Sequence, residues 1–227
     1  MKAIQISSPG SPDVMHAVDV DPPAPTPGHV VVRVHVAGVN YIDTHQRTGR
    51  YPLDLPVTLG LEGVGEVVSL GEGVDHLALG DVVAWAWAQG SYAEFALVSQ
   101  DKAVIVPEGI AMDDAVSAMM QGITAHYLTT SVYDAQPGDT ALVHAAAGGA
   151  GLLLCQMLSA RGVEVNGTQK DTPHIFTGIY PVGRTGLEPV TALSRSTREN
   201  WPNRVSARLY GPTSDCGPAS LLLRCRR

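Results

Sequence analysis

The sequence predicts a chain of α/β plus β class. A β-barrel-like domain comes first, a strand–turn–helix–strand unit follows, and an irregular tail ends the chain. Three observations predict this. Up to about residue 110, short runs rich in Val, Ile and Ala alternate with Pro, Gly and Asp turns. Then "HAAAGGAGLLLCQ", His144 to Gln156, places three glycines directly ahead of an apolar stretch. After Lys170, six prolines and a reversal of charge break every periodicity.

In the first part, "MKAIQI", "HVVVRVHVAGVN", "GVGEVVSLG", "DVVAWAW", "YAEFALVS" and "AVIVP" read as strands, punctuated by "PPAPTPG", "GEGVD" and "LGD". Between them "YIDTHQR" suggests one short helix. From Met112 to Thr130 apolar residues recur at three- and four-residue spacing behind acidic starts, which predicts a helix. "PGDTALV" then reads as a turn into a strand, Leu152–Ala160 as a helix, and "VEVNGT", Val163 to Thr168, as a second strand.

Backbone N–H groups at the start of a helix favour negative charge, and small residues let a phosphate approach them. The spacing Ala145-x-x-Gly148-x-x-Gly151, with Gly149 added, is a variant of the dinucleotide fingerprint whose first glycine is alanine. On its own it fits a ligand-free tight turn equally well. An acidic residue about 20 positions beyond the turn ordinarily accepts the ribose 2′-OH of NAD. Gly167 and Thr168 occupy that place, so no carboxylate repels a 2′-phosphate and NADP (NADPH) is the expected cofactor. Lys170 offers a positive charge nearby, or is a solvated loop lysine. His144 is placed to touch a ligand or to serve the fold.

Composition bounds the remaining classes. The 227 residues carry a net charge of −7 and are 44% hydrophobic, without an apolar run of membrane-spanning length or a charged-then-apolar leader. A soluble, unexported protein of the cytoplasm is expected. Cys155, Cys216 and Cys225 show no paired spacing, and the eight histidines are scattered, so neither a disulfide framework nor a metal cluster is expected.

"GVNYIDTHQRTGRYP", Gly38 to Pro52, together with "LGLEGVGEV", "HAAAGGAGLLLCQ" and "VNGT", resembles the NADPH:quinone oxidoreductases related to zeta-crystallin, in the medium-chain dehydrogenase/reductase superfamily. The match is collinear from Met1 to about Thr168. The resemblance implies a GroES-like catalytic β-barrel domain (residues 1–110) and an incomplete Rossmann NADP-binding domain (residues 111–170), with a non-homologous tail (residues 171–227). Zinc-dependent members of the superfamily carry Cys and His where this chain has Asn40 and Leu61, neither of which replaces a thiolate or imidazole on zinc. The zinc-free branch is therefore expected, with no metal.

The implied reaction is hydride transfer from NADPH to a quinone or similar electron-poor carbonyl. Such a site has to hold two flat rings together and stabilise a developing oxyanion. Asn40, Tyr51 and Thr124 are the expected substrate-pocket residues. Tyr41, Ile42, Asp43, Thr44, His45 and Tyr127 are implied at the cofactor, with Gly148, Gly149, Ala150, Gly151 and Lys170. Plainer readings stand beside these: Asn40 and Asp43 as turn or helix caps, Met119 and Tyr127 as core. The resemblance also implies a homo-oligomer, an assembly that a shortened chain puts in question, and gives no reason to expect a membrane or nucleic-acid partner.

After "NGTQK" the resemblance stops. Residues 1–170 hold seven Lys and Arg against 18 Asp and Glu, whereas residues 171–227 hold eight Arg against four acids. The tail reads as loop or disorder. Its arginines are not clustered until the end and no aromatic interleaving marks a stacking surface, so nucleic-acid binding is disfavoured. A gene truncated or frame-shifted after about residue 168 is the expectation, with two functional outcomes: a working reductase, or an inactive remnant that keeps only the β domain.

Overall fold

The computed structural model describes residues 1–169, 172–177, 205–207 and 221–224. The chain divides into two compact units, with the break between Met120 and Gln121.

The first unit opens with β1 (Lys2–Ile6), β2 (His16–Asp19) and β3 (His29–Ala37), followed by α1 (Tyr41–Arg47), β4 (Val57–Thr58) and β5 (Glu62–Leu70). β6 (Val82–Ala86), β7 (Phe95–Ser99), β8 (Ala103–Ile105) and α2 (Met112–Ser117) complete its regular elements. Two antiparallel sheets form, ordered β2-β1-β4 and β7-β3-β5-β6-β8. The segment before β7 joins them: Ile4 N–H donates to Tyr92 O at 2.8 Å and Val34 N–H donates to Glu94 O at 2.9 Å. The β domain therefore curls round its core.

Successive strand residues face opposite sides of a sheet, and here both sides are covered. Val83 and Trp85 join Val30, Val32, Val67 and Val98 in one buried cluster. Ala84, between them in sequence, packs on the other face with Val64, Ala115 and Val116. That double coverage explains why "VVAWA" is apolar throughout. It also explains why the unit extends past the expected boundary at residue 110, since α2 supplies Ala115 and Val116 to this core. β2 and β4 were not expected from the sequence. Each is short, and β2 is mostly exposed, so neither carries an apolar alternation.

The single helix expected over Met112–Thr130 is interrupted. α2 passes into a wide turn at Ala118–Gly122, then α3 (Ile123–Tyr127), then a second wide turn at Leu128–Val132. Such turns take in an extra residue. Within the second, Thr129 and Thr130 hydroxyls donate to the carbonyls of Ala125 and His126 at 2.9 and 2.7 Å, a back-bonding that distorts helices.

In the second unit, β9 (Thr140–His144) and β10 (Glu164–Gln169) are parallel and joined by α4 (Gly149–Ala160). Ala141, Val143 and Val165 from the strands bury against Leu154, Cys155 and Leu158 of α4 and against Ala125 and Leu128. This is the βαβ unit of an incomplete Rossmann domain. α4 starts at Gly149 rather than at the expected Leu152, because N–H groups of a first turn need no partner within the helix and so tolerate glycine there. Of the segment read as loop or disorder, three strands are described: β11 (Thr172–Thr177), β12 (Val205–Ala207) and β13 (Leu221–Arg224). β11 pairs antiparallel with β10 and β13 antiparallel with β9. The rest of that segment, and Lys170, lie outside the described residues. Among the described residues no helix is long and apolar enough to cross a membrane.

Candidate functional site

The expected site residues fall in both units. In the first, they gather around α1. Asn40 precedes the helix in extended conformation, and its backbone N–H donates to Asp43 Oδ2 at 2.8 Å. Asp43 does cap the helix as its sequence position suggested, an acidic side chain satisfying an orphan N–H at a helix start. The same Oδ2 accepts the Tyr92 hydroxyl at 2.7 Å. Burial pushes the Asp43 carboxyl up, against the lowering effect of the Tyr92 and Asn40 hydrogen bonds. The Tyr92 phenol is held well above its ordinary range by burial and by Asp43, so it stays a donor.

The Asn40 side chain is already engaged. Its Nδ2 donates to Glu62 Oε1 at 2.6 Å, and Glu62 Oε2 accepts the backbone N–H of Met120 at 2.9 Å. Glu62 is only 2% exposed. Burial raises its carboxyl above the ordinary 4.5, opposed by the Met120 and Asn40 hydrogen bonds and reinforced by the Asp43 charge. Gly38 is required beside it, because a Cβ there would collide with the Glu62 carboxyl.

On the outer side of α1, Tyr41, His45 and Tyr51 form a row of rings. His45 stands edge-on between the tyrosines, with centroid distances of 5.0 Å to Tyr41 and 5.3 Å to Tyr51. Tyr41 and Tyr51 stay 45% and 38% exposed, leaving flat apolar surface on and beside the helix that Asn40 caps. Thr44 donates to the Tyr41 carbonyl within the helix. Ile42 faces inward and packs with Leu61, Ala86 and Met120, so it supports the site from beneath. Leu61, at one of the metal-ligand positions of the zinc-dependent enzymes, is buried in that apolar cluster. Among the described residues no group of three His, Cys, Asp or Glu side chains is arranged to hold a metal.

In the second unit, Thr124 and Tyr127 lie on α3, Thr124 half-buried and Tyr127 38% exposed. The glycine turn lies between β9 and α4. Ala145 takes a left-handed backbone, with φ 54°. Gly148 caps α4 with no side chain bonded to the helix start. A Cβ on Gly151 would collide with the Ala145 carbonyl and one on Gly149 with the Gln121 amide, whereas one on Gly148 would meet only Ala145 O at 3.2 Å. Backbone thus closes the turn from below while the helix N–H groups of Gly149, Ala150 and Gly151 are left without a side-chain cap. That is the chemistry a pyrophosphate needs, and the residues present fit one.

At the adjoining strand ends, His144 Nδ1 and Thr168 Oγ1 lie 2.9 Å apart, and Ala146 N–H donates to Thr168 O at 3.0 Å. Thr168 is thereby tied to the turn. Cys155, on the core face of α4, has its thiol pushed up to about 11 by burial and takes no part in the site.

Sequence reasoning missed Glu62, Tyr92 and the Met120 N–H. A signal existed for Glu62: "LGLEGVGEV" sets one carboxylate in an otherwise apolar and glycine-rich run, where a buried charge needs partners. Nothing in the sequence pointed to Tyr92 or Met120, which meet the site only through tertiary folding.

Residues 26–108 match the alcohol dehydrogenase GroES-like domain family. The chain is 42% identical over 169 residues to a quinone oxidoreductase of Pseudomonas aeruginosa, covering 74% of this chain and 52% of that protein. Among solved structures, Pseudomonas syringae pv. tomato quinone oxidoreductase superposes with a TM-score of 0.73 at 40% identity, over 76% of this chain and 53% of that one. Escherichia coli quinone oxidoreductase complexed with NADPH gives a TM-score of 0.73 at 37% identity, over 74% and 52%. The chain spans about half the length of the curated relatives it matches. Its curled β unit, its βαβ unit and its sequence agree on one ancestry, and the chain belongs to the quinone oxidoreductase family.

Proposed function

We propose that this chain carries the cofactor- and substrate-binding groups of a zinc-free, NADPH-dependent quinone reductase of the cytoplasm. The observation that carries the reading is the glycine turn, where backbone leaves Gly151 no room for a side chain and the helix start has no side-chain cap. Bound NADPH supplies the hydride. The chain's own residues do the positioning: the first turn of α4 meets the pyrophosphate, and Gly167 and Thr168 leave room for a 2′-phosphate that a carboxylate would repel. Tyr51 offers a flat face to a quinone ring and Asn40 a hydrogen bond to its oxygen, Thr124 is likewise assigned to the substrate, and Tyr41 and His45 are assigned to the cofactor. Tyr127 is assigned to the cofactor, as is Lys170.

Binding without efficient turnover is the second reading. Hydride transfer needs near-contact geometry, a stricter requirement than binding. One experiment separates the two. Titrate the purified chain with NADPH by fluorescence, then assay reduction of a simple benzoquinone, with Gly148→Asp in parallel. That variant adds charge to the turn without a severe collision. Saturable NADPH binding lost in Gly148→Asp supports the site; absence of binding by the parent chain overturns it. Turnover close to that of the P. aeruginosa relative would reject the second reading. Elemental analysis of the same preparation should find no stoichiometric zinc.

A further inference from the structure

We propose that Glu62 is a positioning residue that fixes the orientation of the Asn40 amide, engaging one Nδ2 hydrogen so that the amide cannot turn over and the second Nδ2 hydrogen stays a donor toward the ligand. The inference deepens the proposed function, and rests on it where Asn40 is said to meet the ligand. An asparagine amide has two nearly isosteric ends of opposite hydrogen-bonding character, and a site that uses it has to distinguish them. A carboxylate does so, because it only accepts.

The geometry leaves Glu62 little choice. One oxygen is taken by the Met120 N–H and the other by Asn40 Nδ2. Behind the carboxyl, Gly38 supplies the space that any Cβ would remove. The side chain is buried and held at both oxygens, so its orientation is passed on to Asn40. Turning the Asn40 amide over would set its oxygen against the Glu62 oxygen, an acceptor facing an acceptor in a buried site.

Glu62→Gln alters this logic with almost no change of shape. If the introduced glutamine keeps its oxygen on the Met120 N–H, it presents an amide nitrogen to Asn40, and the Asn40 amide must turn over to meet it. Protonation of Glu62 has a related effect, since a carboxylic acid carries one donor. The groups facing Glu62 are Asn40 and Asp43 on the α1 side, Tyr92 across the sheet, and the Met120 backbone. Of these, Asp43 is the one other group that titrates in the carboxylate range.

The test is ligand-free at first. The chain has four asparagines, so selective 15N-asparagine labelling gives a simple side-chain amide spectrum, with Asn40 assigned by its loss in Asn40→Ser. The Asn40 signal should move with pH in the parent chain and in Asp43→Asn, and stop moving in Glu62→Gln. A pH-independent Asn40 signal in the parent chain, or a titration that survives Glu62→Gln, overturns the proposal. Addition of a simple benzoquinone to the NADPH-saturated chain is then followed on the same signal. Glu62→Gln should weaken that binding about tenfold, the loss expected when one hydrogen bond is reversed. If the signal titrates with Glu62 but the quinone leaves it unmoved, the positioning stands and the assignment of Asn40 to the substrate falls.

Discussion

The candidate site on the first unit is built from side chains, and the candidate site on the second is built from their absence. Around α1, Asn40, Asp43, Glu62 and Tyr92 hydrogen-bond to partners up to 58 residues away in sequence, in a largely buried network that leaves only Asp43 Oδ1 of its carboxylate oxygens unpartnered. At the start of α4, the working groups are backbone N–H donors, and the side chains matter only by being too small to obstruct them. The difference teaches where each site is vulnerable. A buried network fails when one member is removed, because its partners are left unsatisfied. A backbone cradle fails when something is added.

Removal should have the largest effect. Glu62→Leu keeps an apolar side chain in the strand but takes the acceptor from both Asn40 Nδ2 and the Met120 N–H. Two orphaned donors predict a loss of about 3 kcal/mol in urea unfolding. A loss below about 1 kcal/mol would mean the network is dispensable and the contrast between the units is false.

Addition should come next, and unequally. Gly151→Ala drives a methyl into the backbone carbonyl of Ala145 and should cost about 2 kcal/mol, with loss of NADPH binding. Gly149→Ala meets only the movable end of the Gln121 side chain and should cost less than about 1 kcal/mol. Equal costs would show that the turn is not closed by backbone.

The smallest effect is one of pH, and it belongs to the first unit. Asp43 and Glu62 have carboxyls raised above the ordinary 3.8 and 4.5. Their protonated forms are therefore favoured in the folded state. That stabilising contribution is complete below the ordinary values and is lost as pH rises through the folded ones. Urea unfolding at stepped pH should show the parent chain losing stability across that window, and Asp43→Asn should flatten part of the slope. A slope of the opposite sign would mean that hydrogen bonding outweighs burial at these carboxyls.

The same contrast explains what was legible in the sequence. The glycine turn could be read because its requirement is local: small residues at fixed spacing between a strand and a helix. Asn40 and Asp43 could be read as caps because α1 is one short helix whose start an Asn followed three residues later by Asp marks, whereas Tyr41 and His45 came from the family resemblance alone. Glu62 and Tyr92 were not read because their roles depend on the register of β3 with β5 and on the link from β1 to the segment before β7. No local pattern encodes that. The interruption of the Met112–Thr130 helix escaped for a similar reason, since threonine hydroxyls that bond back to the helix leave its apolar spacing unchanged.

Ala145 bears on how this motif changes over generations. Its left-handed backbone is the conformation for which glycine is suited, and alanine there bears a strain of about 1–2 kcal/mol. A single replacement by glycine would relieve that strain, and the looser unfolded chain would offset only about 0.4–1 kcal/mol of the gain. Gly151 has no such freedom, because its missing side chain is the space that the Ala145 carbonyl occupies. The front of the turn thus tolerates alanine at a cost while the back requires glycine, and a search that demands glycine at the first position will pass over chains that keep the shape.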